Sequence, residues 1–404
     1  MMQKERNIIL QLYLIFFITY SYFIGGFVQF FLGFSNTVIT FFTILSFLVF
    51  YFFSSKNKVK KEGFNYSLIL LIMVLYTFII SIVNNEFIVK PLLYSLFFLV
   101  PLGIYLLIKN TQNFNSKSLN NRRIKKVLLL VAIFQLPILL FQKYFYSFLI
   151  SLNNSSQQIA HVDFTFGSFF IKNDHALGFF LVVNLLYIWS YPILKNKFQR
   201  NLVSIIIIAS LFISNSNTSI LYLFGAITIL IFRNRESISK IRVDRVFYLL
   251  IFLLIIYLIV DFFEPKFYLD LQNKLSNSLD YKTAVKWYKQ GQARREQIVV
   301  LLIKDGLNFF GNGAYAYFDI LKSEFTRNFR HFSQLIWIYY DIGLIGLLGF
   351  LMIIFKTNKL FKDNSSSYSM YLSIGILIYS FFTIVTFDIN FILTYFIYKY
   401  QDND

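Results

Sequence analysis

Along the chain, apolar residues run almost unbroken at 8–25, 36–53, 64–83, 88–108, 127–149, 175–193, 201–214, 219–232, 246–260, 333–355, 368–387 and 389–399, with polar and charged breaks between them. The runs are continuous rather than alternating, which selects helices over the strands of a closed barrel. About 20 apolar residues cross a bilayer as a helix, so the pattern predicts an all-α integral membrane protein with about 12 transmembrane helices. The break at 214–219 and the short final run are the least sharply drawn.

Charge gives the breaks two sides. Lys4 and Arg6, KNKVKK (56–61), the cluster over 109–126, the cations of 195–200, RNRESISKIRVDR (233–245) and Lys356, Lys359 and Lys362 all fall on one side of a twelve-span pattern. That side holds 24 of the 38 lysines and arginines. The positive-inside rule makes it cytoplasmic, with both termini inside. Eleven of the remaining cations lie in a single outer segment, which also carries eight acidic residues. The chain therefore divides into an N-terminal bundle of about nine helices (1–260), a large outer loop carrying short helices (261–330) and C-terminal helices (331–404). The start, MMQKERN, leads into an apolar run with no small-residue cleavage site and reads as a retained first helix.

Composition agrees: 57% of residues are hydrophobic, 14% are charged and the mean hydropathy is +0.60. A soluble domain of this length with such a composition would leave a large apolar area in water. Cysteine is absent, so disulfides and thiolate metal sites are unavailable. No internal repeat is visible, unlike the duplicated halves of many secondary transporters.

Candidate chemistry collects on the outer side. His161, His175 and His331 all lie there or at its boundary, and histidine is the side chain best matched to proton transfer near neutral pH. Their scatter does not resemble a metal site. In the large loop, Arg294 and Arg295 open an amphipathic stretch that breaks at Gly306 and at the turn Gly311-Asn312-Gly313. Arginine binds phosphate oxygens bidentately and keeps its charge; the same two residues read equally well as solvated cations on a surface helix. A second polar region, 150–175, enters the next helix through Asn173, Asp174 and His175, which also suit simple helix capping. A third, SNSNTS (214–219), contains Asn217 and is either a hairpin tip or a polar interruption lining a cavity.

In NFRHFSQLIWIYYDIGLIGLLGF (328–350), Gly343, Gly346 and Gly349 recur every three residues. This spacing predicts close packing of a neighbouring helix. Asp341 lies within the same predicted span, where an unpaired carboxylate costs a few kcal/mol, so this helix is expected inside the bundle. His331 then stands at the mouth of the bundle, or serves as an interfacial anchor, with Arg327 and Arg330 close by in the sequence.

The order of these features resembles the O-antigen polymerase and O-antigen ligase family of bacterial membrane glycosyltransferases. The resemblance covers about sixty residues: Arg294 or Arg295, then Gly311 and Gly313 with Phe318, then His331, Leu335 and Gly343-Leu-Ile-Gly346-Leu347. More loosely, GSFFIKNDHALGFFL (167–181) is similar to an earlier family segment. The chain departs from the family pattern at Phe332, where Asn is frequent, and at Ser216-Asn217-Thr218, where an arginine is common.

The resemblance implies a metal-independent and cofactor-free transfer on the outer face of the cytoplasmic membrane. The donor is a glycan linked to undecaprenyl pyrophosphate in the bilayer, and the acceptor is a sugar hydroxyl. By this resemblance His331 is the base and Arg294 and Arg295 hold the departing pyrophosphate, with Arg327 and Arg330 as helpers. A polymerase joins two lipid-linked repeat units, with a chain-length regulator as a conceivable protein partner; a ligase delivers the glycan to the lipopolysaccharide core. Nothing in the pattern calls for nucleic acid. The reading from a different class is a lipid-linked-oligosaccharide flippase, for which charges scattered through the spans and short outer loops are expected; this sequence has the reverse.

Overall fold

The computed structural model describes residues 12–54, 61–112, 121–155, 159, 161–191, 193–194, 196–233, 302, 308–324, 333–359 and 367–399. The expected span at 246–260, most of the large loop, and Arg294, Arg295, Arg327, Arg330 and His331 lie outside the described residues.

Among the described residues every regular element is a helix. In chain order they are α1 (Leu12–Leu32), α2 (Asn36–Ser54), α3 (Lys61–Val83), α4 (Val89–Gln112), α5 (Asn121–Tyr144) and α6 (Tyr146–Ser151). There follow α7 (Asp174–Ser190), α8 (Lys197–Ile213), α9 (Asn217–Arg233), α10 (Ala316–Glu324), α11 (Gln334–Lys359), α12 (Ser367–Phe382) and α13 (Ile389–Lys399). Among the described residues, five stretches are long and apolar enough to cross a membrane: Leu12–Leu32, Asn65–Val83, Val89–Ile108, Ile124–Tyr144 and Gln334–Lys356. Their outward faces carry large exposed apolar side chains such as Phe16, Leu75, Ile82, Leu130 and Met352. Such a surface suits hydrocarbon rather than water.

Other expected spans are shorter than the sequence pattern suggested, for a visible reason. Helices α7 and α13 form the centre: residues 176–188 of α7 and all of α13 are buried. They pack on each other and, between them, on α4, α5, α8, α9 and α12. A helix wrapped wholly by protein need not match the bilayer thickness, provided the non-helical chain that extends it has its backbone groups paired.

That condition is met by the segment that leads into α7. Residues 164–171 are irregular yet buried, and glutamines from the surrounding helices supply their hydrogen bonds. Gly167 donates its N–H to Gln142 Oε1 and accepts from Gln142 Nε2 at its carbonyl, both at 2.8 Å. Ser168 N–H donates to Gln135 Oε1 (3.0 Å), Gln135 Nε2 donates to Ser168 Oγ (2.8 Å), and Ile171 N–H donates to Gln29 Oε1 (2.8 Å). Gln135 lies nine residues inside α5 from Tyr144, a depth of about 13 Å at 1.5 Å per residue. The segment is therefore re-entrant: it dips into the bundle as far as Ser168, beside Tyr22 O, and comes back toward the loop end at Ile171 before α7 begins. The sequence reading treated it as an outer polar region only.

The expected outer breaks gather at one end of the bundle. Asn154 donates from its backbone N–H to Phe30 O (3.0 Å) and from Nδ2 to Phe31 O (2.7 Å). Thr165 donates to Ser214 O (3.1 Å), and Gln334 N–H donates to Thr383 O (2.9 Å).

Candidate functional site

Two groups of sequence-predicted residues are brought together at this end. The first is built on the glycines. Helix α11 does not run straight: Ile342 (φ −123°, ψ 18°) and Gly343 (φ 66°, ψ −165°) leave helical geometry and break it into two. Into the break fits the turn Gly311-Asn312-Gly313, whose glycines also have positive φ, 94° and 104°. The free backbone groups are satisfied across the junction. Leu344 N–H donates to Phe309 O (2.9 Å), Gly313 N–H to Asp341 O (2.9 Å) and Asn312 N–H to Tyr340 O (3.1 Å). A Cβ on Gly311 would run into the backbone of residues 341–343, and one on Gly343 into that of 309–311. The spacing of three predicts close packing of a neighbouring helix; α11 does pack on α3, but the three glycines take different roles there. Gly343 is the break, Gly346 packs under Ile342 of its own helix, and Gly349 alone of the three meets a neighbouring helix, at Met73 of α3. Three-residue spacing does not distinguish a packing stripe from a helix that is interrupted.

Asp341 completes the junction. It is fully buried, although α11 as a whole does not lie inside the bundle as expected, since Ile345, Leu348, Met352 and Phe355 are exposed; its carboxylate accepts Tyr317 N–H at Oδ1 (2.7 Å) and Tyr315 N–H at Oδ2 (3.2 Å). It thereby caps the first turn of α10, where orphan N–H groups need an acceptor and the helix dipole favours negative charge. The Trp337 indole and the Tyr94 hydroxyl also lie beside the carboxylate. Burial and the Asp341 charge together push the Tyr315 phenol above its ordinary range. Around the rim, Ala314 N–H donates to Ser81 Oγ (3.0 Å), and Lys90 bridges Glu86 and, at 2.6 Å, Asp319 of α10. The last part of the large loop is thus pinned to α3, α4 and α11. Phe318, which the resemblance had singled out, packs on Trp337.

The second group surrounds the start of α7. Asn173 occupies the N-cap position but its side chain makes no capping bond, so the capping expectation fails for it. Asp174 and His175 are half-buried, with Asp174 Oδ2 3.5 Å from His175 Nδ1. The same nitrogen is 3.1 Å from Ser216 Oγ, next to the exposed Asn217 at the start of α9. Ser219 Oγ donates to Ser216 Oγ (2.5 Å) and lies 2.8 Å from the Tyr379 hydroxyl, extending a chain of hydroxyls into the core. Gly178 makes this approach feasible, because a Cβ there would collide with the Ser219 side chain. Asn173, Asp174, His175 and Asn217, predicted from separate polar breaks, thus share one rim.

The turn 383–388 joins the two groups. On one side Gln334 Oε1 accepts from Thr386 N–H (3.1 Å) and from the Thr386 hydroxyl. On the other, Asp388 caps α13 through Asn390 N–H (2.8 Å) and faces the side chain of Asn173. Sequence reasoning passed over Gln29, Gln135, Gln142 and Asp388. The available signal was a strongly polar side chain inside or at the edge of an apolar run, which is costly unless paired.

Comparison of the sequence with protein-family models and with curated proteins returned no match.

Proposed function

We propose that the chain is a glycosyltransferase of the cytoplasmic membrane that joins undecaprenyl-pyrophosphate-linked repeat units on its outer face. The observation that carries this reading is the seating of the Gly311–Gly313 turn in the broken helix at Gly343, beside Asp341. These are the two glycine motifs on which the resemblance rests. They are 30 residues apart in sequence, and their contact fixes the end of the large loop against the bundle mouth.

In this reading the topology has twelve spans with both termini inside. Support comes from the ends of the helices. Helix α9 leaves the loop end of the bundle at Asn217 and the chain is again at that end by Asn308, so an odd number of further passages follows α9. The apolar run at 246–260 is the candidate for that passage.

The chemistry assigned is displacement at an anomeric carbon. The acceptor hydroxyl oxygen forms the new C–O bond, its proton passes to His331, and the bond to pyrophosphate breaks with the electron pair leaving on phosphate oxygen. Arg294 and Arg295, with Arg327 and Arg330, would stabilise the charge that grows on the leaving group.

The test is a gene deletion complemented with wild type or His331→Ala, read as the surface-polysaccharide ladder on a gel. A single repeat unit on the lipid core after deletion, with the ladder restored by wild type only, supports the polymerase. Loss of all repeats from the core with long polymer retained on the lipid carrier assigns a ligase instead. A normal ladder from His331→Ala at equal protein level removes the transferase mechanism and favours a flippase, which needs no base.

A further inference from the structure

We infer that the end of the large loop enters the bilayer: Phe309 and Phe310 insert among the lipid acyl chains of the leaflet at the loop end of the bundle, between α3 and α11. The sequence pattern places the whole of 261–330 outside the membrane. The inference is independent of the transfer reading above.

Depth comes from two hydrogen bonds. The Phe309 carbonyl accepts Leu344 N–H (2.9 Å), and Leu344 lies ten residues along α11 from Gln334, about 15 Å at 1.5 Å per residue. The Phe310 carbonyl accepts the Tyr76 hydroxyl (3.1 Å), and Tyr76 lies seven residues before the end of α3 at Val83, about 10 Å by the same rise. A helical side chain leans toward the N-terminus of its helix. For Tyr76 that direction is away from the loop end, so its hydroxyl lies no shallower than its own turn. Both helices are long and apolar enough to cross a membrane. The hydrocarbon core is about 30 Å thick, so a turn that far below the ends of two spans is inside it.

Hydrocarbon requires backbone polar groups to be paired within the protein, and this turn meets the requirement. Phe310 N–H donates to Asn308 Oδ1 (3.1 Å) and Gly311 N–H to Asn308 O (3.2 Å), while Asn312 and Gly313 donate to the Tyr340 and Asp341 carbonyls. The carbonyls of residues 308–311 all accept, that of Gly311 from Asn308 Nδ2 (3.0 Å). Asn308 is exposed, yet its side chain gives both its oxygen and its nitrogen to the turn. What the turn presents outward is therefore phenylalanine: Phe309 is 53% exposed and Phe310 56%. Their surroundings match. Ile72, Ile79 and Val83 are exposed on the side of α3 that carries Tyr76, and Ile345 and Leu348 are exposed beside Leu344 on α11. The pair continues the apolar surface that these two helices already turn outward, and that continuity selects acyl chains as what covers it.

The chain has no cysteine, so Phe309→Cys and Phe310→Cys, made one at a time in the full-length protein, each take a single nitroxide label. After reconstitution into phosphatidylcholine vesicles, power-saturation EPR compares collisions with oxygen, which concentrates in hydrocarbon, against collisions with a water-soluble nickel chelate. Ile79→Cys, on the exposed face of α3, supplies the reading for lipid, and Asp163→Cys, exposed at the loop end, the reading for water. Labels at Phe309 and Phe310 are expected to favour oxygen, as at Ile79, with the balance reversed at Asp163. Only the monodisperse fraction in detergent is reconstituted, and either phenylalanine position decides alone where the other variant does not fold. Nickel collisions in excess at either position would overturn the inference by putting the turn in water. Exclusion of both reagents would overturn it by showing protein over the pair. An unchanged polysaccharide ladder after gene deletion would sink the transferase reading and leave this result untouched.

Discussion

Gly311 and Gly343 lie backbone to backbone, each occupying the space that the other's side chain would need. Both adopt positive φ, and together they hold a loop turn inside an interrupted helix. The junction is reciprocal, so it fails from either side.

Gly311→Ala and Gly343→Ala should each destabilise the protein by about 2–4 kcal/mol, the sum of backbone strain and forced displacement of the partner. The double substitution should cost less than the two single costs added together, because the same contact is lost once. Thermal unfolding of purified protein in detergent, followed by tryptophan fluorescence, gives all three values. Gly346→Ala, which meets the buried Ile342 side chain rather than backbone and carries no positive φ, should cost less than either.

Asp341→Asn keeps one acceptor oxygen and sets an amide donor against the other N–H, so it should lower stability by about 1–3 kcal/mol. Asp341→Ala leaves both Tyr315 and Tyr317 N–H groups unpaired and should cost more. Hydrogen exchange is the sharper measurement: amides at 313–319 should lose protection in both variants while those in α5 and α7 keep theirs. Equal loss everywhere would mean that Asp341 supports the whole bundle rather than the docked loop.

Lys90→Ala offers the contrast. Its pair with Asp319, with Glu86 on the same ammonium, links the same loop to α4, but Asp319 is more than half exposed. Such pairs contribute about 0–1 kcal/mol and weaken with salt. The melting temperature should move by no more than about 2 °C for a chain of this size, with less effect in 0.5 M salt than in 0.05 M.

Gln142→Leu removes the donor and the acceptor that hold Gly167, both of them buried. Exchange at 167–169 should accelerate by about tenfold or more, since two buried backbone groups lose their partner. Gln142→Glu should be worse than leucine in one respect: an ionised carboxylate still accepts from the Gly167 N–H but sets a buried negative charge against the Gly167 carbonyl oxygen.

The class of protein was legible because uninterrupted apolar runs have one common solution in a bilayer. Asp341 was legible as a buried residue, since a carboxylate in a span must be paired. The role of Gly343 was not, because glycine recurrence looks the same in a packing stripe and in a broken helix; only the location of Gly311 decides between them, and that is a long-range fact. Residues 173–175 and 217 were each visible as polar positions, but their meeting depends on how α7 and α9 cross at Gly178. The re-entrant segment escaped notice because Gln135 and Gln142 sit singly within an otherwise ordinary span. A long polar side chain there can be a cost or a hydrogen-bond surrogate, and which it is depends on what backbone comes near.

The glutamines grip that segment mostly through main-chain atoms: the N–H and carbonyl of Gly167 and the N–H groups of Ser168 and Ile171. Every amino acid except proline offers the same N–H. At Ile171, therefore, the hydrogen bond that fixes the path of the chain places few demands on side-chain identity, whereas at Ser168 the hydroxyl itself accepts from Gln135 and donates to Tyr22 O. A lineage could exchange the side chain at Ile171 within the limits of packing while the helices that frame the segment stay as they are.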